Sequence, residues 1–453
     1  MSKTIDNMIE RAKNAQGKFE RCNQEQVDKI VKEMAKVIYD HAAELAQLAV
    51  AETGMGNVDD KTKKNQNKAK RIWNHLKDKK SVGVIATDTK KGLIYIAKPV
   101  GVVGAVTPST NPVVTPMANA MFALKGRNAI IIASHPNALK SGKRTVDLMN
   151  QAIAKYDVPE GLIQIIEEPG LESTIALMQA VDVVVATGGM QMVKSSYSSG
   201  KPAFGVGAGN VQCIIDRGMN HSEVVSKIIE GRTFDNGIIC ACEQSVLVPE
   251  DEYDDIIGEF ERKGAYYITK AEEKEAIRQA LFTENGLNKS IVGKPVQEIA
   301  RLAGLTLQSG IQVILVAADQ FGREEPLCRE KMCPVLTVIR YRDFNDAIRI
   351  ARMNLDVEGK GHSCVLHSNT IDHITRAGEF LPVSRLVVNQ ACSTSAGGSF
   401  HNGLAPTTTL GCGSWGNNAI SENLTYKHLL NVSQIATCLP LPVIPTDEEL
   451  WAD

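Results

Sequence analysis

Apolar positions recur at helical spacing from the start of the chain. Ile5, Met8, Ile9, Ala12, Ala15 and Phe19 predict an amphipathic helix over residues 3–20. No linker follows it, so it reads as a helix docked on its own domain. The pattern resumes over residues 24–52, with Val27, Ile30, Val31, Met34, Val37 and Ile38 on one face. Near residue 81 the period changes. Residues 81–86 and 92–97 flank the polar stretch 87–91 and predict a β-hairpin spanning about 81–98. Apolar runs at 102–106, 129–133, 162–166 and 181–186 then alternate with helical patterns at 114–124 and 140–154. This strand–helix rhythm predicts a parallel sheet of the dinucleotide-binding kind.

A similar rhythm restarts after residue 240. Residues 244–248, 313–316, 335–339 and 364–367 fit strands, and 251–263, 270–281 and 343–353 fit helices. Two α/β domains in tandem are therefore expected. Residues 1–215 form the dinucleotide-binding domain with its hairpin, 216–420 a second α/β domain, and 421–453 a return and tail. Within that last part, residues 422–435 read as a helix, followed by an extended segment spaced by Pro440, Pro442 and Pro445.

At 453 residues the chain exceeds one ordinary core, in keeping with two domains. A composition of 43% hydrophobic and 23% charged residues excludes a disordered or fibrous protein. Lys and Arg number 50 against 52 Asp and Glu, so no field draws the protein to nucleic acid or an anionic membrane. Apolar runs stop short of a signal peptide or a membrane span, which predicts a cytoplasmic protein. The ten cysteines are scattered too widely for a disulfide framework, so reduced thiols are expected, at least one of them chemically used.

Cys240 has the most distinctive setting, Phe234-Asp-Asn-Gly-Ile-Ile-Cys-Ala-Cys-Glu-Gln-Ser245. Asp235-Asn236-Gly237 is a strong turn signal, and an apolar step leads from it into the thiol. A thiolate attacks aldehyde or thioester carbon well and leaves again afterwards. By residue type alone, a buried structural cysteine is the commoner case. Cys242 could pair with Cys240 on a metal, but no His/Cys cluster supplies two further ligands, so no metal is expected.

This stretch closely resembles the nucleophile segment of CoA-acylating aldehyde dehydrogenases. The likeness extends through Val106-Thr-Pro-Ser-Thr-Asn-Pro112, Lys194-Ser-Ser-Tyr-Ser-Ser-Gly-Lys-Pro202, Cys328-Arg-Glu-Lys-Met-Cys-Pro334 and Leu410-Gly-Cys-Gly-Ser-Trp-Gly416, essentially the whole chain. The branch it resembles most acts on succinate semialdehyde. The resemblance implies an aldehyde-dehydrogenase-like α/β fold, with a Rossmann-type cofactor domain, an α/β catalytic domain, and a bridging hairpin and tail for oligomerisation. A homodimer or dimer of dimers is expected from it.

The resemblance also implies roles. Cys240 becomes the nucleophile, Asn111 the oxyanion donor, and His362 a residue near the active site able to take a thiol proton. NAD or NADP would lie against Thr107, Pro108, Ser134, His135, Pro136, Thr187, Gly188, Gly189 and Gly207, with Glu330 on the nicotinamide ribose. CoA would be the co-substrate. Gly205 stands where hydrolytic relatives carry a water-activating glutamate, which favours acyl transfer to CoA over hydrolysis. Ser109 and Thr110 fall beside the substrate.

The basic run at residues 61–71 has the composition of a solvated helix face, yet Lys68 matches a lysine that relatives place near the carboxylate of succinate semialdehyde. Ala241 stands where those relatives have a carboxylate-binding serine. An anionic aldehyde such as succinate semialdehyde is expected; sulfoacetaldehyde or a short neutral aldehyde are the alternatives. A hydrolytic enzyme or a non-catalytic dinucleotide-binding protein are more distant readings. A bifunctional alcohol-forming enzyme is not expected, because no second catalytic domain follows.

Overall fold

A computed structural model describes residues 2–440 and 442–452; Met1, Leu441 and Asp453, the ends and one position of the segments read above, lie outside the described residues. Four helices open the chain: Ser2–Phe19, Gln24–Asp40, Ala42–Thr53 and Val58–Leu76. The second starts on a reciprocal cap. Asn23 Oδ1 accepts the Gln26 N–H, and the Gln26 side chain accepts the Asn23 N–H. The continuous helical pattern expected over 24–52 breaks at His41, whose backbone (φ −95°, ψ 17°) leaves the helical region while its N–H still bonds Val37. The break lets Ala42–Thr53 turn and pack along Val58–Leu76.

The first sheet has five parallel strands, in the order Ile163–Ile165, Ala129–Ser134, Val102–Thr107, Val183–Thr187, Ala203–Val206. Strands Val102–Thr107 and Ala129–Ser134 are buried at every position, as helices covering both faces require. Helix Val114–Lys125 is buried along its whole length in the same core.

Seven parallel strands form the second sheet: Ala265–Ile268, Val313–Ala317, Val335–Tyr341, Glu243–Pro249, Val211–Ile215, Gly361–His367 and Val383–Val388. Strand Val211–Ile215 belongs to this sheet. The first sheet therefore ends at Val206, ahead of the boundary at 215 that periodicity suggested.

The hairpin forms as Gly83–Asp88 and Leu93–Pro99, and a third antiparallel strand, Leu430–Ala436, joins it. This corrects the helix expected over 422–435. A short turn at Tyr426–Leu429 precedes the strand, which runs in register from Leu430 opposite Pro99 to Ala436 opposite Leu93. Val432 and Ile435 suit a strand, and the open edge of the hairpin offers a full ladder of backbone partners. No helix of the described residues is long and apolar enough to cross a membrane.

Candidate active site

The carboxyl ends of the first sheet's strands open onto a cleft of about 620 Å³. Its walls include residues 106–111, 133–137, 187–189 and 206–208 on the side of the first sheet. Ile238, Cys240, Lys289, Val292, Glu330, Met332 and Thr408 close it from the side of the second sheet. Such a crevice outside the strand ends is where parallel α/β sheets bind ligands. Every expected cofactor and substrate residue lines this cleft except Lys68 and Ala241; of the expected catalytic residues, Cys240 and Asn111 line it and His362 does not.

The cleft fits a dinucleotide. Gly188 and Gly189 follow strand Val183–Thr187, and a Cβ on either would meet nothing within 4 Å, which leaves room for a phosphate to approach the backbone. Helix Met190–Tyr197 starts immediately after, so its free N–H groups face the same region. Ser134, His135 and Pro136 mark the end of strand Ala129–Ser134, one strand beyond Val102–Thr107.

The nucleophile loop is held in an unusual shape. After helix His221–Thr233, Asp235 (φ 53°) and Asn236 (φ 55°) both take the left-handed conformation, which these two residue types tolerate better than most. Asp235 is fully buried. Its carboxylate accepts from Lys61 Nζ at 3.0 Å, Lys64 Nζ at 2.5 Å and the Asn57 N–H at 3.1 Å, and its own N–H donates to Asp60 at 2.9 Å. Part of the basic run is thus no solvated face: Lys61 and Lys64 are buried, clasping the loop that leads to Cys240. Burial lowers Lys61 to about 8, with the Lys64 charge adding and Asp235 opposing. Lys64 Nζ lies 2.9 Å from Asn111 Oδ1 as well.

Cys240 is partly exposed at the cleft. Its thiol is pushed up to about 12, first by burial, then by the Glu330 carboxylate and Cys412, with Arg385 opposing. Glu330 is itself pushed up to about 8 by burial and then by Glu358, and it accepts the Gly209 N–H at 3.2 Å. His362 is fully buried behind the nucleophile. A Cβ on Gly209 would lie 2.1 Å from the Cys240 carbonyl and 3.2 Å from His362 Nδ1, so one glycine separates the two residues. Neither ring nitrogen has a partner among the described residues, and burial, then Arg385, lowers the ring to about 3. His362 is therefore neutral at physiological pH.

Lys68 Nζ bonds the carbonyls of Gly397 (2.8 Å) and Thr407 (2.7 Å). Burial and then Arg71 lower it to about 7, and Cys240 is among the groups that oppose the shift. Ala241 corrects the sequence expectation. Its side chain is 2% exposed and packs in the core of the second sheet with Val246 and Leu410, because the step from Cys240 into the strand turns it away from the cleft. Gly205 lies in strand Ala203–Val206. A Cβ there would meet Val193, Ser196 and Tyr197 at 2.8 to 3.0 Å, so the position has no room for a glutamate. All ten cysteines are free, and no group of metal-binding side chains occurs among the described residues.

Sequence reasoning missed Lys61, Lys64 and Asp235, along with Lys289, Met332 and Thr408. One signal was available: Lys61, Lys64 and Lys68 recur at helical spacing on a single face.

The chain belongs to the aldehyde dehydrogenase family, which it matches over residues 1–428. It is 51% identical over 448 residues to a succinate-semialdehyde dehydrogenase (acetylating) of Clostridium kluyveri, with 99% of each chain covered. A sulfoacetaldehyde dehydrogenase of an Acholeplasma species is 41% identical, over 99% of this chain and 94% of that one. Among solved structures, an acetylating aldehyde dehydrogenase of Geobacillus thermoglucosidasius superposes with a TM-score of 0.94 at 38% identity, covering 98% of both chains.

Proposed function

We propose that this chain is a CoA-acylating aldehyde dehydrogenase that reversibly converts an aldehyde, CoA and NAD(P)+ to acyl-CoA, NAD(P)H and a proton. The observation that carries the reading is the meeting of Cys240 and Asn111 in a cleft built on dinucleotide-binding strand ends, at a site where position 205 excludes a water-activating glutamate.

Cys240 attacks the aldehyde carbon, and the carbonyl oxygen becomes an oxyanion. The Asn111 amide N–H and the Cys240 backbone N–H receive it; losing one such donor typically costs ~10²–10³ in rate. The dinucleotide, held by Thr107, Pro108, Ser134, His135, Pro136, Thr187, Gly188, Gly189, Gly207 and Glu330, supplies the hydride acceptor when bound. Cys240 is then left as a thioester. The CoA thiol attacks that thioester, and Cys240 departs as the leaving group. On the family resemblance, the neutral His362 ring, which lies buried behind Cys240 and outside the cleft lining, is the proposed transient acceptor of that thiol's proton. Its low basicity suits a transient partner better than a resting proton store.

For the aldehyde, identity to the Clostridium kluyveri enzyme supports an anionic substrate such as succinate semialdehyde; Lys68, whose Nζ is held by the Gly397 and Thr407 carbonyls outside the cleft lining, is its proposed partner on the family resemblance alone. Ala241 does not supply a substrate hydroxyl, and sulfoacetaldehyde is the second reading, supported by the Acholeplasma relative. We further propose a cytoplasmic homodimer or dimer of dimers.

A panel of succinate semialdehyde, sulfoacetaldehyde, acetaldehyde and propionaldehyde, assayed with CoA and each dinucleotide, tests this. Anionic aldehydes should give the highest kcat/KM, and Lys68→Met should lower theirs selectively. Acetaldehyde or propionaldehyde outperforming both anionic aldehydes would overturn the substrate reading. Full CoA-dependent turnover by Cys240→Ser would overturn the mechanism.

A further inference from the structure

Lys64 touches two groups of opposite character. Its Nζ bonds Asp235 Oδ2 on the nucleophile loop and Asn111 Oδ1 at the cleft, and its side chain is 7% exposed. An ammonium has three donors and no acceptor, so the amide it touches must present oxygen to it. The other amide orientation would set NH₂ against NH₃⁺. Contact with Lys64 therefore decides which end of Asn111 is which, a matter otherwise ambiguous for asparagine. Among the described residues the Nδ2 end donates only to Thr110 Oγ1, at 3.3 Å, a weak bond that leaves donor capacity on the cleft side.

Two ammonium groups share one buried carboxylate, Asp235, so Lys64 gains from a second acceptor. A charge-assisted bond at Oδ1 also draws electron density through the amide and strengthens donation from Nδ2. Asp235 precedes Cys240 by five residues. The chain of contacts Asp235–Lys64–Asn111 thus runs from the nucleophile loop of one domain to the amide of the other.

We propose that Lys64 is a positioning residue for the oxyanion site: held by Asp235, it orients and polarises the Asn111 amide and keeps it in register with the Cys240 loop. This rests on the oxyanion role given to Asn111 above. The competing explanation is a structural clasp that only holds the two domains together.

A double-mutant cycle on the full-length protein separates the two. Lys64→Met, Asn111→Ala and the double variant are assayed at saturating CoA and aldehyde for kcat, for the dinucleotide KM and for melting temperature. Asn111→Ala should lower kcat by ~10²–10³. Lys64→Met should lower kcat by about tenfold or more, leaving the dinucleotide KM within about twofold. The double variant should be no slower than Asn111→Ala by more than about threefold, because a residue acting through Asn111 has nothing left to orient. Lys64→Arg, which keeps a donor-only cation, should recover most of the kcat lost in Lys64→Met.

If the two single losses multiply in the double variant, or if Lys64→Met raises KM with kcat unchanged, Lys64 is a structural clasp and the proposal fails. If Asn111→Ala loses less than about threefold, the oxyanion reading itself fails, a result distinct from the first. Should Lys64→Met not fold, Asp235→Asn enters the same cycle with the same required non-additivity.

Discussion

Burial, first, and the nearby Glu330 carboxylate both oppose ionisation of Cys240, with the Arg385 charge acting against them. The sign follows directly. A thiol whose pKa is raised to about 12 stays protonated through neutrality, and its thiolate fraction grows only as pH climbs toward that value. Alkylation of Cys240 by iodoacetamide in the free enzyme should rise about tenfold per pH unit between pH 7 and 9, without a plateau. Peptide mapping of the modified cysteine measures this, and a plateau near pH 8 would contradict the field described here. At this scale the sequence was informative where chemistry leaves a local signature. Cys240, Asn111 and the Thr187-Gly188-Gly189 turn stand out in the sequence itself. Lys64 and Asp235 do not, since a turn aspartate and a lysine-rich helix look alike whether solvated or buried together. Ala241 is placed beside the substrate only by the resemblance, which puts a carboxylate-binding serine there; in the fold the turn into strand Glu243–Pro249 carries its side chain into the core.

Elements set the limits on single residues. Helix Met190–Tyr197 lies against strand Ala203–Val206, and Tyr197 Oη bonds both the N–H and the carbonyl of Gly205. Gly205→Glu should therefore fail to create a hydrolase. It should instead destabilise the protein by ~1–3 kcal/mol through overpacking, seen as a lower denaturation midpoint. A stable variant that releases carboxylate without CoA would refute that account. The strands and helices of both sheets were largely legible, because periods of 2 and 3.6 survive in the primary pattern. Strands Ala203–Val206, Val211–Ile215, Ala265–Ile268 and Val383–Val388 were not, and two expected elements took another form. Residues 24–52 form two helices because His41 leaves the helical conformation, and strand Leu430–Ala436 exists because the hairpin edge stands ready to pair with it. Local pattern cannot weigh a partner more than three hundred residues away.

At the scale of the whole molecule, the three-stranded sheet presents an exposed apolar face. Val84 and Ile96 are opposite each other, as are Ile96 and Ser433 and then Ile94 and Ile435, so Val84, Ile94, Ile96 and Ile435 share one face. Val84 is 52% and Ile435 45% exposed. A projecting ribbon with an apolar face is a poor surface for a monomer, and a second copy of the chain is the proposed cover. Ile435→Lys should shift the mass measured by light scattering from dimer or tetramer to monomer. A monomeric wild-type protein would remove this reading.

The sequence by itself determined the two α/β rhythms, the hairpin, the thiol and the resemblance that named its partners, all of which reside in local spacing or short motifs. Tertiary structure decided where the first sheet ends, which lysines of the basic run are buried, which way the Asn111 amide faces, and that position 205 excludes a side chain. The physical reason is the same in each case. Burying a charge or fixing an amide depends on a partner supplied from afar, as Asp235 is to Lys64 across 171 positions of chain, and only the folded chain brings the two within a hydrogen bond.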